Sequence, residues 1–409
     1  MKICLIGKYP PIEGGASSKV YWLAKALGEK GHEIHVVTNA GEVEKNYREE
    51  IDADDLDSDY QPKNVFVHST DSSGDLRHIP YTNPYLAKLA TLAINVIKEY
   101  NLQLIDSWYI LPYAISGFLA KVVTGRPQIM RHEGSDIGRL LELPHFKTLF
   151  LSLFERVDKI ITYPNSMEKL LSLGIAESKL FCNRVSIDTK AFNPKVRPLD
   201  LSKYTNRRVI DSLPVITYIG KISAVKGIYE LVEAASKIKK DFLLLFVSQG
   251  SGLGWIKRYI RDKGLARKTL FINFLPPWKI PSIIKRSDCV IMLERDSPIV
   301  QHKPILFREV MAVGKCLVLS SELYNKLNFP YLSEGRDLIV VNSREIHALR
   351  ETIERIIKVP IYAKKIGRHA RLVSVRVERF DEYVNDNIHL YEELLKSHKR
   401  QSEYERKKL

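Results

Sequence analysis

Short apolar runs alternate with stretches of helical periodicity along most of the chain. "MKICLIG" is such a run and ends in the loop "KYPPIEGGASS"; "KVYWLAKALGEKGH" then spaces its apolar residues three and four apart, and "EIHVVT" is another run. That order predicts strand, loop, helix, strand. The rhythm continues with strands over "NVFVHS", "LQLIDSW", "PQIMRH", "DKIITYP" and "KLFCNRV". Helices fall between them over "PYLAKLATLAINVIKEY", "YAISGFLAKVVTG", "HFKTLFLSLFERV" and "NSMEKLLSLG". Strands that read as continuous apolar runs are those buried on both faces, so the sheet is expected to be parallel and covered by helices.

Residues 188–208, "DTKAFNPKVRPLDLSKYTNRR", are polar and carry two prolines, which predicts a linker. The rhythm restarts with strands over "PVITYIG", "DFLLLFVSQG", "TLFINFL", "DCVIML" and "KCLVLSS". Helices lie over "YELVEAASKIK", "GWIKRYIRDKG", "WKIPSIIKRS" and "PILFREVMAVG", with the helix starting near Glu309. "VERFDEYVNDNIHLYEELLKSHKR" closes the chain as one long helix with a basic end. The fold class is therefore α/β, with two Rossmann-like halves. Residues 1–195 form the first, 209–375 the second, and 376–409 a helix and tail expected to pack back on the first. In doubly wound sheets ligands sit at the carboxyl ends of the strands, which places a site in the cleft between the halves.

Composition adds limits. With 409 residues, 45% of them hydrophobic, the chain can bury two cores. Cys4, Cys182, Cys289 and Cys316 are too scattered for a zinc site or a disulfide framework, which points to a reducing compartment. The apolar start is too short for a signal peptide, and no segment reaches the ~18 apolar residues of a membrane span. A cytoplasmic protein is expected. The formal net charge of +15 fits either a lysine-rich soluble surface or an anionic partner. The charge is dispersed and lacks an aromatic-basic recognition module, so nucleic acid is not the expected partner.

Three local features carry chemistry. Gly14-Gly15 lie in a loop before a helix, where main-chain N–H groups can approach a phosphate; taken alone, such a pair is more often just a turn. Lys221 and Lys226 flank the loop that follows the strand ending at Gly220. They can clamp a diphosphate beside a helix start, or be solvated surface lysines. Glu309 either interacts with its own helix start or accepts hydrogen bonds from vicinal hydroxyls, as a carboxylate does with ribose.

In order and separation, these features resemble the retaining nucleotide-sugar glycosyltransferases of family 4, in the glycosyl transferases group 1 class with the GT-B fold. "YPPIEGGASSKVYWLAKALGEKGHEIHVVT" resembles the family's Gly-Gly loop and first helix, "RHEGSDI" its H-G-S-D-I segment, and "VSIDTKAFNP" its domain-closing segment. "GKISAVKGIYELVEA" resembles its phosphate motif, with Lys221 for the usual Arg, and "FREVMAVGKCLVLS" its late helix and strand. The resemblance spans nearly the whole chain.

It implies that Glu309 contacts the ribose, and that Ile305 and Leu306 offer main-chain amides to the phosphates. Gly14, Gly15, Gly220, Leu275, His302 and Lys303 join them on the donor side, while Lys221 and Lys226 stabilise the leaving diphosphate. Where the family has a first glutamate this chain has Gln301, which can still hydrogen-bond a donor-sugar hydroxyl. Trp108 stands where a histidine is usual, and Glu133 occupies the slot of the histidine before Gly-Ser-Asp. His132 is displaced by one place, as a cleft residue or a strand cap. Trp108, Glu133 and Asp136 are expected on the acceptor side, and His132 and Gln301 at the reacting centre.

The resemblance further implies front-face retention with a UDP- or GDP-hexose donor, a glycan or lipid-linked acceptor, no cofactor and no metal. The Asp57 and Asp59 pair of "LDSDY" belongs to an acidic surface loop. An anionic membrane surface is a further expected partner, met by basic amphipathic helices in a peripheral association. Two rival readings stand beside transfer. One is a nucleotide-sugar epimerase, which lacks the Lys-Gly and "EVMA" patterns. The other is a catalytically weakened nucleotide-sugar or glycan binder, for which Gln301 and Trp108 speak.

Overall fold

A computed structural model describes residues 1–40, 50–71, 85–205, 212–296, 304–327 and 329–408. Gln301, His302 and Lys303 lie outside the described residues. The chain forms two compact units. Unit 1 comprises residues 1–44, 56–186 and 380–409, and unit 2 comprises 45–55 and 187–379. The hand-over falls at Ile187, within the first domain as read from sequence, so the stretch expected as a free linker is part of unit 2.

Unit 1 has strands β1 (Lys2–Ile6), β2 (Glu33–Thr38), β3 (Val65–Ser69), β4 (Leu104–Trp108), β5 (Gln128–Arg131), β6 (Lys159–Thr162) and β7 (Leu180–Cys182). They form one parallel sheet in the order β3-β2-β1-β4-β5-β6-β7. Between them run α1 (Gly15–Glu29), α2 (Tyr85–Glu99), α3 (Ile115–Thr124), α4 (Gly134–Gly138), α5 (Pro144–Arg156) and α6 (Pro164–Ser172). The order reverses between β1 and β4, so the loops leaving these two strands part to opposite sides and open a crevice at their carboxyl ends.

Unit 2 repeats the plan. Strands β8 (Val215–Ile219), β9 (Leu243–Val247), β10 (Thr269–Ile272), β11 (Cys289–Met292), β12 (Cys316–Ser320) and β13 (Ile339–Val341) are ordered β10-β9-β8-β11-β12-β13, all parallel. The helices are α7 (Ile228–Ser236), α8 (Leu253–Asp262), α9 (Ile280–Arg286), α10 (Leu306–Val313), α11 (Ser321–Leu327), α12 (Ile346–Lys358) and α13 (Pro360–Val377). Here the switch point lies between β8 and β11. The sequence reading assigns no element between Ser321 and Arg376, where the structure has α11, β13, α12 and α13. It also starts α10 late: the helix begins at Leu306, which leaves Glu309 within its first turn.

The last helix, α14 (Phe380–Lys408), belongs to unit 1. Its Asn387 and Tyr391 reach a buried ion pair in the sheet. Arg131 on β5 grips Asp106 on β4 through two nitrogens at 2.6 and 2.8 Å, and also donates to Asn387 at 2.6 Å and Tyr391 at 2.9 Å. A buried ion pair is tolerable only when its remaining donors and acceptors are met, and α14 meets them.

Candidate active site

In unit 2 the loops at the switch point are tied to each other. Gly220 ends β8, donating its N–H to Val247 at 3.1 Å and accepting from the Ser248 hydroxyl at 2.6 Å. The Tyr218 hydroxyl donates to the Lys221 carbonyl at 2.6 Å, which fixes the turn. A short helical turn, Ala224–Lys226, leads to Gly227 at φ 65°, immediately before α7. A Cβ at Gly227 would sit 2.5 Å from the carbonyl oxygen of Leu293, so only glycine fits. The Arg295 N–H donates to the Val225 carbonyl at 2.8 Å, binding the loop after β11 to the loop after β8.

Lys221 is exposed on this turn. Lys226 has a carboxylate partner, Glu294, in the loop after β11. Glu294 is buried, so the pair forms a fixed dipole at the crevice floor. A bound diphosphate would share the Lys226 ammonium with Glu294, because that ammonium has three donors.

Ile305 and Leu306 are half-buried at the start of α10. Glu309, one turn in, is buried at 4% exposure, and its carboxyl group has no hydrogen-bond or ion-pair partner among the described residues. Burial pushes its pKa up to about 8, with the neighbouring Arg308 acting the other way. Arg308 is itself held by Glu378, its Nε 2.7 Å from Oε1. Leu275 turns into the core with Val215, Leu245, Val247 and Ile272, so the fold itself uses its side chain. The sequence reading places Leu275 on the donor side; its side chain is committed to this core.

In unit 1, Gly14 precedes α1 at φ 109°, and its carbonyl accepts from Ser18 at 3.1 Å. Nothing lies within 4 Å of where a Cβ would stand, so the space before this turn is open. Gly15 is the first residue of α1. Lys19, further along α1, pairs with Glu133 at 2.7 Å. Burial opposes the Lys19 charge, but Glu133 outweighs it and holds the ammonium above the usual lysine range. The Gly-Gly helix and the "HEGSD" segment therefore share one site in unit 1.

Asp136 is fully buried; its Oδ2 accepts from the N–H groups of Glu133 at 2.9 Å and Ile110 at 3.3 Å. Its Oδ1 has no partner, and burial raises its pKa to about 7 despite those two bonds. His132 lies out of solvent, with Nε2 2.8 Å from the Thr162 hydroxyl and Nδ1 unpartnered. Burial drops its pKa to about 4, so it is a neutral imidazole at physiological pH. Trp108 is buried under the Arg131 guanidinium, 4.4 Å from the ring centre, and its indole N–H has no acceptor. Its ring packs as part of the wall behind the site, which corrects the expectation of a residue presented to an acceptor.

The sequence reading missed Lys19, Glu294, Tyr109 and Ser135. Tyr109, at φ 77°, bonds the Ser135 hydroxyl and lies under the Lys8 ammonium at 4.6 Å. Asp57, read as an acidic surface residue, accepts from the Asp59 N–H at 3.0 Å and caps a short turn. Among the described residues no three His, Cys, Asp or Glu side chains are grouped to hold a metal ion. Nor is any described helix long and apolar enough to cross a membrane.

Residues 205–373 match the family model "Glycosyl transferases group 1". The chain is 23% identical over 239 residues to a putative colanic acid biosynthesis glycosyl transferase, WcaI, of Escherichia coli K12; the match covers 56% of this chain and 57% of that one. It is 23% identical over 312 residues to N-acetyl-alpha-D-glucosaminyl L-malate synthase of Bacillus anthracis, covering 75% of each. The match thus spans little more than half the length of the first relative. Among solved structures, Anabaena Alr3699/HepE in complex with UDP and glucose superposes with a TM-score of 0.64 at 14% identity, over 96% of this chain and 100% of that one.

Proposed function

We propose that the protein transfers a hexose from a UDP- or GDP-linked donor to a glycan or lipid-linked acceptor, retaining configuration, as a glycosyl transferase of group 1, the family whose model residues 205–373 match, on a GT-B fold. The observation that carries this reading is Glu309. It is a buried carboxyl group with no described protein partner, one turn into α10, the helix that joins β11 to β12 in the sheet whose β8 leads into the Lys221 and Lys226 loop. An unmet buried carboxyl group costs stability unless a ligand meets it, and vicinal ribose hydroxyls fit its donor and acceptor capacity. HepE, solved with UDP and glucose, supports the uridine donor.

In the reaction the bond from the sugar carbon to the diphosphate oxygen breaks, and the acceptor oxygen bonds to that carbon from the same face. The acceptor proton passes to the departing phosphate. Lys221, Lys226 and the amides at Ile305 and Leu306 meet the charge that grows on the diphosphate, and no metal is required of them. Gln301 holds a donor-sugar hydroxyl. His132, neutral and backed by Thr162, acts in unit 1 beside Glu133 and Asp136.

Calorimetry with UDP, GDP and pyrophosphate tests the donor site. Lys221→Ala is expected to weaken all three that bind by about 1.5–3 kcal/mol, the range for charge-assisted hydrogen bonds. Glu309→Gln is expected to weaken the nucleotides and spare pyrophosphate; equal losses would make Glu309 structural. Donor turnover, followed with chelator present and the product anomer assigned by NMR, tests retention and metal independence. A binder without turnover is the second reading, favoured by Trp108 and His132 both lying out of solvent. Tight nucleotide binding with no transfer or donor hydrolysis would establish it.

A further inference from the structure

Unit 2 has another cavity, of about 880 Å³, at the opposite end of the same parallel strands. Its wall is built where the strands begin: Pro214 precedes β8, Asp288 precedes β11 and Lys315 precedes β12. The donor loops leave the other ends of these strands. A strand of five residues such as β8 spans roughly 15 Å, so the two sites are distinct.

The charge of the wall is one-sided. Lys285 and Arg286 come from the end of α9, Lys315 from the start of β12, and Lys364, Arg368 and Arg371 from α13. Asp288 is the one carboxylate among the described lining residues, and its Oδ2 accepts from the Val215 N–H at 2.9 Å. Elsewhere in unit 2 basic side chains find carboxylates: Lys279 with Asp55, Lys326 with Glu322, Arg336 with Asp337. Here Lys285 donates to the Pro194 carbonyl instead, and Arg371 to the carbonyls of Phe192 and Ala312. Lys315, Lys364 and Arg368 have no ion-pair or hydrogen-bond partner among the described residues. The 18 residues of α13 include no Asp or Glu.

Such crowding of like charge is costly without a counter-ion. Burial lowers the Lys315 pKa, Asp288 works against that, and Lys285, Lys364 and Arg286 lower it further. An anion seated among these groups would relieve the repulsion and would gain charge-assisted hydrogen bonds in a concave, basic wall.

We propose that this cavity is a binding site for a phosphate-ester anion, separate from the nucleotide loops. Its volume suits a phosphorylated sugar or a phospholipid headgroup, well beyond a lone phosphate. Both sources present the same chemistry. Ile361, Leu372 and Val375 stand exposed on the same α13 helix, where they would enter a lipid surface if the ester is a headgroup.

The test uses the full chain with two probes. Tripolyphosphate is titrated by calorimetry, and vesicles of phosphatidylglycerol or of phosphatidylcholine are used in co-sedimentation, each at low and moderate salt. The wild type is expected to bind tripolyphosphate, phosphatidylglycerol vesicles or both. Lys364→Ala/Arg368→Ala changes two exposed residues, and is expected to cut that affinity roughly tenfold or more with an unchanged melting temperature. Lys221→Ala, in the donor loop, is expected to leave a tripolyphosphate site and all vesicle binding intact. Tripolyphosphate binding that Lys364→Ala/Arg368→Ala weakens and Lys221→Ala keeps, with no vesicle binding, identifies a soluble ester. Vesicle binding that Leu372→Ser weakens identifies a headgroup. Failure of both probes at low salt, or wild-type affinity in the double variant, overturns the proposal. UDP titrated in parallel separates the two sites: loss of UDP binding alone would refute the donor reading and leave this one standing.

Discussion

At the scale of single residues, Glu309 links stability to pH in a direction that can be worked out. Its pKa is about 8 folded, against 4.5 for an ordinary glutamate. Below the lower value both folded and unfolded chains hold the proton, and nothing is lost. As pH rises past 4.5 the unfolded chain releases its proton while the folded one keeps it, so stability falls until about pH 8 and is level above. Glu309→Gln imitates the protonated form and removes this dependence. The variant is therefore expected to gain on the wild type by about 1–3 kcal/mol between pH 5 and pH 8.5, measured by urea unfolding with no nucleotide present. A difference that stays constant with pH would mean that Glu309 titrates normally and that its pocket is wetter than its burial indicates.

At the scale of elements, the join between the β8 loop and α7 depends on Gly227. Its left-handed backbone and the 2.5 Å approach of Leu293 leave no room for a side chain. Gly227→Ala is expected to cost at least about 1–3 kcal/mol from the backbone alone, and to displace Lys226 from Glu294. Nucleotide affinity should fall together with the melting temperature; a variant that binds and melts as the wild type would mean that the loop relaxes freely. This Lys-Gly pair was legible in the sequence because it lies in the short loop between an apolar strand and a helix, in the order of the family's phosphate motif. So were the strands from β1 to β12: most are buried on both faces and read as unbroken apolar runs, and the edge strands β3 and β7, partly exposed, still show as short apolar segments between helical stretches. Three-residue β13 is too short to show any period. In α13 the buried Ala363, Ile366, Ala370 and Val373 are mixed with the exposed Ile361, Leu372 and Val375, which blurs the helical pattern. The Lys19–Glu133 and Lys226–Glu294 pairs were not legible, because each joins residues far apart in the chain, 114 and 68 positions. Spacing within one motif carries no information about such partners.

At the scale of the whole molecule, unit 1 is assembled from separated stretches of chain, and its last helix is 194 positions beyond Ser186, where its main body ends at residue 186 and resumes at 380. What fastens α14 to the sheet is polar. Tyr391 accepts from Arg131 at 2.9 Å and donates to Asp106 at 2.5 Å, all three side chains being buried. Removing that hydroxyl leaves an arginine donor and a carboxylate lone pair unmet in a dry interior, which costs more than the bonds themselves contributed. Tyr391→Phe keeps the ring and its packing, so it isolates this polar contribution. The variant is expected to lose about 1–3 kcal/mol or more of stability in unit 1. Hydrogen exchange should quicken in β4, β5 and α14 while β8 to β12 keep their wild-type protection, because the network lies wholly within unit 1. Equal loss of protection in both sheets would instead show that the two units unfold as one cooperative body, with the return of the chain at Phe380 coupling them.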